Sequence, residues 1–177
     1  MTSNVKTPRI TLKGIFIAIL VSTFAGLGVS EAGLRIAMPD WREFYAGRFM
    51  QRVTVPGHSP VIAGRPGFDG YFSQNNGDFR VKISLNRHGH RNPEPPENAD
   101  GRIWVIGDSM TFGWGVKHTE MYSKVLENLL SMPVYNLASP GTDICGYQSM
   151  VARMPENAKP RVVMVGLVLE KEVREYD

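Results

Sequence analysis

Two kinds of hydrophobic patterning divide this chain. From residue 14 to residue 30, GIFIAILVSTFAGLGVS, apolar and small residues follow one another without a single charge. Beyond residue 102 the apolar positions come in short runs separated by periodic segments. Residues 103–106 form a run rich in β-branched side chains, 134–137 a second, and 161–169, containing VVMVGLVL, a third. Between them, 120–131 places Tyr122, Val125, Leu126, Leu129 and Leu130 on one helical face, and 144–153 can form another helix. Strand, helix, strand, helix, strand with near-continuous apolar strands predicts an α/β domain whose parallel sheet is covered on both faces.

The segment between these regions, 38–100, is irregular and rich in Pro, Gly and Asn. PGHSP, GRPG and QNNGDF read as turns. Residues 68–73 and 79–85 alternate well enough to predict a β-hairpin around Asn75, Asn76 and Gly77. RNPEPPENADG, at 91–101, cannot be helical through its prolines and reads as a linker. No internal repeat is visible. The expected organisation is therefore an N-terminal span at 1–35, a juxtamembrane extension with a small β element at 36–101, and an α/β portion at 102–177.

Charge placement turns the first segment into a membrane expectation. Lys6, Arg9 and Lys13 precede the uncharged stretch, which approaches the ~20 apolar residues typical of a bilayer span. Positive charge on the N-terminal side favours an N-in, C-out orientation. A cleaved signal peptide has a similar n-region and h-region, but Glu31, Ala32, Gly33 and Leu34 supply no A-x-A cleavage site. The reading is an uncleaved signal anchor inserted through residues 14–30, with the bulk of the chain extracytoplasmic (periplasmic), or secreted if the leader is removed.

Composition removes several function classes. The net charge of +3 is spread without a dense basic block, so nucleic acid is not an expected partner. The single cysteine, Cys145, can form no intrachain disulfide and fits no zinc spacing, and reads as a small core residue. Neither G-x-x-x-x-G-K-[ST] nor G-x-G-x-x-G occurs, so no nucleotide cofactor is expected. His88 and His90 make an H-G-H pair without acids at ligand spacing, and no metal is assigned.

One stretch carries candidate chemistry. RIWVIGDSMTFGWGV, at 102–116, runs an apolar strand into a glycine-flanked turn that presents Ser109. Ligands on parallel sheets sit beyond the carboxyl ends of the strands, where Ser109, Gly141 and the residues after Val165 all fall. A serine needs a base to remove its proton and donors for the oxyanion formed on attack. The backbone N–H groups of Ser109 and Gly141 could supply the donors. The same tripeptide also serves as a plain turn with a helix N-cap, and Ser109 lies in no G-x-S-x-G elbow.

VIGDSMTFGWGV resembles the first block of the SGNH (GDSL-type) hydrolases, in which Gly-Asp-Ser carries the nucleophile. SLNRHGHRNPEPP is similar to the N-x-x-G-[FY]-R approach segment of membrane-associated members, VYNLASPGTD to the second block, and VVMVGLVLEKEV to the third. The likeness runs from about Ile83 to Val173. It implies a flavodoxin-like three-layer parallel sheet, incomplete here, with Ser109 as nucleophile and the amides of Ser109 and Gly141 as oxyanion donors. Asp108 and Asn136 would shape the loops.

The departures from that pattern are as informative. Where the third block would supply an Asn-Asp pair, this chain has Glu170 and Lys171, and a carboxylate repels a developing oxyanion. Loss of one oxyanion donor costs on the order of 10²–10³ in rate. No D-x-x-H, the block that carries the family's base, occurs in the sequence, and the chain reads as cut short before it. His58, His88, His90 and His118 are each expected to be structural or solvated. The resemblance thus implies an ester-acting hydrolase or O-acyltransferase-like enzyme whose substrate is an acylated small molecule, lipid or glycan. The competing expectation is a non-catalytic scaffold or acyl-glycan binding module.

Overall fold

The computed structural model describes residues 11–74 and 77–168, and the chain divides between Trp41 and Arg42. The first unit is built on helix α1, Leu12–Ala37. Thr11 caps it, its hydroxyl accepting from the Gly14 amide at 3.2 Å, and Glu31 pairs with Arg35 one turn on at 2.7 Å. None of its residues is buried. At 1.5 Å per residue its 26 residues extend about 39 Å, enough by length and composition to cross a bilayer core of ~30 Å. The expected span at 14–30 lies inside it.

The second unit holds two antiparallel hairpins and a parallel sheet. Strands β1 (Met50–Val53) and β2 (Val61–Gly64) pair with Met50 opposite Gly64, and β3 (Asp69–Gln74) and β4 (Phe79–Ser84) with Asp69 opposite Ser84. The second hairpin is the one the alternation predicts; Asn75 and Asn76 at its tip lie outside the described residues. The first has no such signal in the sequence, where PGHSP reads only as a turn. Four-residue strands carry too little alternation to register, and this pair is fixed from a distance. Ser139 Oγ donates to the Ile62 carbonyl and Ser149 Oγ to that of Ser59. The expected linker includes a short 3₁₀ turn at Pro96–Ala99, which begins at the proline where a missing N–H costs nothing.

The parallel sheet has the order β6-β5-β7, with β5 at Ile103–Gly107, β6 at Val134–Asn136 and β7 at Val162–Gly166. Every residue of β5 and β6 is buried, which explains their unbroken apolar sequences. Alternate residues serve two faces. Ile103, Val105 and Val134 pack with Leu126 of α3 (Tyr122–Leu130), whereas Trp104, Ile106 and Tyr135 pack with Tyr147 of α4 (Ile144–Ala152). Both faces of the central strands are therefore covered, and the unit is mixed α/β as expected. β7 is different: Val162, Val163, Met164 and Val165 are all exposed among the described residues.

The rotation of α3 differs from the expected one. Of the five residues assigned to its apolar face, Leu126 reaches the core, while Val125, Leu129 and Leu130 are exposed. Polar contacts set the rotation instead. Buried Ser123 accepts from Asn136 Nδ2 at 3.2 Å, and the Glu127 carboxylate accepts from the Val134 amide at 2.8 Å. Positions 123, 126 and 127 share one helical face, and the two bonds to β6 turn that face inward.

A single aromatic cluster joins the upstream segment to the start of the sheet region. Phe49 and Phe72 pack with Val81, Ile83, Phe112 and Ala138, and Trp114 lies against them. The upstream hairpins and the loop after β5 thus share one core inside the unit that starts at Arg42.

Candidate functional site

Ser109 begins helix α2, a single turn at Ser109–Phe112 directly after β5. Asp108 caps the turn, its Oδ1 accepting from the Met110 amide at 2.9 Å. Gly113 ends it at φ +84, a left-handed conformation that suits glycine. Phe112 and Thr111 point inward and are buried, Met110 is exposed, and Ser109 is half-buried at the surface.

The loop after β6 is tied to the end of β5, just ahead of this turn, on one atom. The Gly107 carbonyl, at the end of β5, accepts from the Ser139 amide at 3.0 Å and from Thr142 Oγ1 at 3.3 Å. Gly141 lies between those two donors in sequence, exposed, with φ +72 and open space where a Cβ would stand. The loop bearing Gly141 is therefore tied to the carboxyl end of the central strand, from which the Ser109 turn departs. Neither the Ser109 nor the Gly141 amide has a hydrogen-bond acceptor among the described residues. A cleft of about 210 Å³ opens beside Gly141, lined by Arg52, Ile62, Asp143 and Gly146.

Beneath the turn, side chains leave no slack. Gly107 pairs with Gly166 across β5 and β7, and a Cβ on either would collide with the Thr111 hydroxyl. Tyr122 donates its phenol to that hydroxyl at 3.3 Å, and burial raises the phenol's pKa. Asn136 Nδ2 donates to the Thr111 carbonyl at 2.8 Å while Oδ1 accepts from the Ala138 amide at 2.9 Å. Asn92 acts as a surrogate strand on the free edge of β6: its amide donates to the Asn136 carbonyl at 2.7 Å and accepts from the Asn136 N–H at 3.0 Å. Asp108 and Asn136 hold loops, the role expected of them. Thr142 and Asn92 were not singled out by the sequence; an asparagine before a proline reads as a turn residue.

The segment NRHGHR, upstream of the sheet, is built into this frame. Asn86 Oδ1 accepts from the amides of His88 and His90, each at 3.0 Å, and Nδ2 donates to Tyr135 Oη at 3.1 Å. His90 is buried, its Nδ1 3.0 Å from Tyr135 Oη. Burial, followed by the charges of Arg153 and His88, drives its pKa from 6.5 down to about 3.

That shift has a measurable consequence. His90 stays neutral in the fold while the unfolded chain takes up a proton below pH 6.5. Its contribution is thus complete above that pH and is lost as pH falls toward 3, at about 1.4 kcal/mol per unit. Between pH 6.5 and 5 the wild type should lose about 1.6 kcal/mol more stability than His90→Gln. Urea melts of both proteins at the two pH values check this, and parallel losses would refute it. His118 titrates with the same sign, so only the difference between the two proteins reports on His90.

The other histidines stand elsewhere. His118 is half-buried and lines a cleft with Lys82, Asn92 and Lys117; burial first, then Lys124 and Arg91, lower its pKa. His88 Nε2 is 3.3 Å from Glu97, and His58 lines a separate cleft with Cys145, which is exposed and not the core residue expected of it. Among the described residues, no histidine is hydrogen-bonded to Ser109. Glu170 and Lys171 lie outside the described residues. Compared with protein-family models, characterised proteins and solved structures, the chain matches none.

Proposed function

We propose that this chain is a membrane-anchored, extracytoplasmic serine hydrolase of the SGNH (GDSL) type that acts on acyl esters. One observation carries the reading. Ser109 stands half-exposed at the first position of a one-turn helix beyond β5, and Ser139 and Thr142 bond the Gly141 loop to the Gly107 carbonyl two residues before it. The unengaged amides of Ser109 and Gly141 are the donors such chemistry requires.

In the reaction, Ser109 Oγ loses its proton to a base and bonds to the ester carbonyl carbon. The negative charge on the carbonyl oxygen is stabilised by the two amides. Collapse breaks the bond to the alcohol oxygen, which departs with a proton and leaves the acyl group on Ser109. Water then releases a carboxylic acid, or an acceptor hydroxyl takes the acyl group as a new ester. The flavodoxin-like sheet of the family is the scaffold in this reading. The basic residues before α1 direct the compact unit outward, toward acylated lipids, glycans or small molecules.

A second reading, an acyl-binding module without turnover, is favoured by one observation: among the described residues no histidine is hydrogen-bonded to Ser109. Hydrolysis of p-nitrophenyl acetate by the full chain in detergent micelles separates the two. The enzyme reading expects Ser109→Ala to lower the rate by at least about 10³. Equal rates for the two proteins would remove Ser109 from catalysis and favour the binding module.

A further inference from the structure

The turn that carries Ser109 is held at its two ends by groups of opposite charge. The Asp108 carboxylate closes the first end. At the other end, the last carbonyls of the turn and the following loop converge on one guanidinium. Arg91 Nη1 donates to the Gly113 carbonyl at 2.5 Å and to that of Phe112 at 3.3 Å, and Nη2 donates to that of Val116 at 2.8 Å. A fourth bond, from Nη2 to the Lys82 carbonyl at 3.3 Å, ties the same group to β4. The guanidinium carbon lies 5.3 Å from the centroid of the Phe112 ring.

Arg91 is 1% exposed, and no carboxylate pairs with it among the described residues. A buried unpaired charge is costly unless polar groups replace its water. Here main-chain carbonyls of residues 112, 113 and 116 do most of that work, and carbonyls at the end of a helix have no partner within it. Geometry adds selectivity. A planar fork can reach several diverging carbonyls at once, whereas an ammonium is a single point. Gly113 leaves room for it: a Cβ there would stand 3.2 Å from Arg91 Nη1 and 2.6 Å from Met121 Cγ.

From this arrangement we infer that Arg91 is a positioning residue, fixing the far end of the Ser109 turn and with it the placement of the Ser109 hydroxyl beyond β5. What the hydroxyl then does rests on the hydrolase reading; the hold on the turn does not. Arg91 touches no reacting atom. It acts through the backbone of residues 112–116, in partnership with Asp108 at the opposite end.

The test uses the full chain in detergent micelles, as wild type, Arg91→Gln and Arg91→Lys. Hydrogen exchange is followed by mass spectrometry, and reaction of Ser109 with a fluorophosphonate is timed per folded molecule. In Arg91→Gln, amides of 112–116 should exchange about tenfold faster while 103–107 are unchanged. Fluorophosphonate reaction should slow by about 10–10², the cost of a serine displaced by an ångström. Guanidinium chloride at non-denaturing concentration should restore part of that rate, and sodium chloride should not. Arg91→Lys, which keeps the charge and loses the fork, should resemble Arg91→Gln. Unchanged exchange at 112–116, or equal acceleration across β5, β6 and β7, would overturn the inference by making Arg91 a filler or a general stabiliser. A wild type that never reacts with the probe counts against the hydrolase reading alone, and the exchange results then decide on Arg91.

Discussion

Gly89→Ala should cost the fold about 2–5 kcal/mol of stability. Gly89 adopts φ +80, where a β-carbon is disfavoured by about 1–2 kcal/mol. The larger effect is steric. A Cβ at this position would press into the carbonyl oxygen and carbon of Gly64, which are main-chain atoms of β2 and cannot rotate away. The reverse holds at Gly64, where a Cβ would strike the Gly89 carbonyl. Two backbones therefore touch with only hydrogens between them. Forced overpacking costs a further ~1–3 kcal/mol, so the total of about 2–5 kcal/mol takes a large share of a typical domain's 5–15 kcal/mol. Circular dichroism and urea unfolding measure it. A midpoint within experimental error of wild type would mean that the two glycines do not meet.

Phe49→Ala ranks next and reaches the candidate site from a distance. Phe49 is 1% exposed, with ring centroids of Phe72 at 5.0 Å, Phe68 at 5.5 Å, Trp114 at 5.8 Å and Phe112 at 6.5 Å. Its 64° approach to Phe72 is the edge-to-face geometry that aromatic pairs favour. Emptying such a position costs about 3–5 kcal/mol, through lost burial and the cavity left behind. The urea midpoint should fall while its slope stays constant. Because Phe112 and Trp114 belong to the turn and loop that follow Ser109, the surviving folded population should also exchange amides faster at 112–116. A loss below 1 kcal/mol would show that this aromatic cluster is not the core of the unit.

The central strands were legible because burial on both faces writes itself into consecutive residues. Ile103 to Ile106 can be nothing but interior, and the turn after Gly107 follows from Asp-Ser chemistry. The hairpin β3–β4 was legible by alternation. What stayed hidden was set by partners remote in sequence. β1 and β2 depend on Ser139 and Ser149, 77 and 90 positions from the carbonyls they bond, and the rotation of α3 depends on Ser123 meeting Asn136. An apolar count alone preferred Val125 and Leu129. The candidate site divides in the same manner. Ser109 and Gly141 are marked by local motifs, so their placement at strand ends could be read directly. Arg91 could be named only as part of a resembling segment. An arginine among prolines and charges reads as solvated, and nothing local announces that four carbonyls from two other segments will surround it.

A serine hydrolase of the proposed kind has Ser109 chemically activated where the neighbours of that residue in sequence are not. Mass mapping of the full chain after treatment with a fluorophosphonate probes that directly. A single adduct on the peptide containing Ser109, absent from the Ser109→Ala variant and blocked by prior unfolding, is the predicted result. Unmodified protein, or an adduct that persists in the variant, would contradict it.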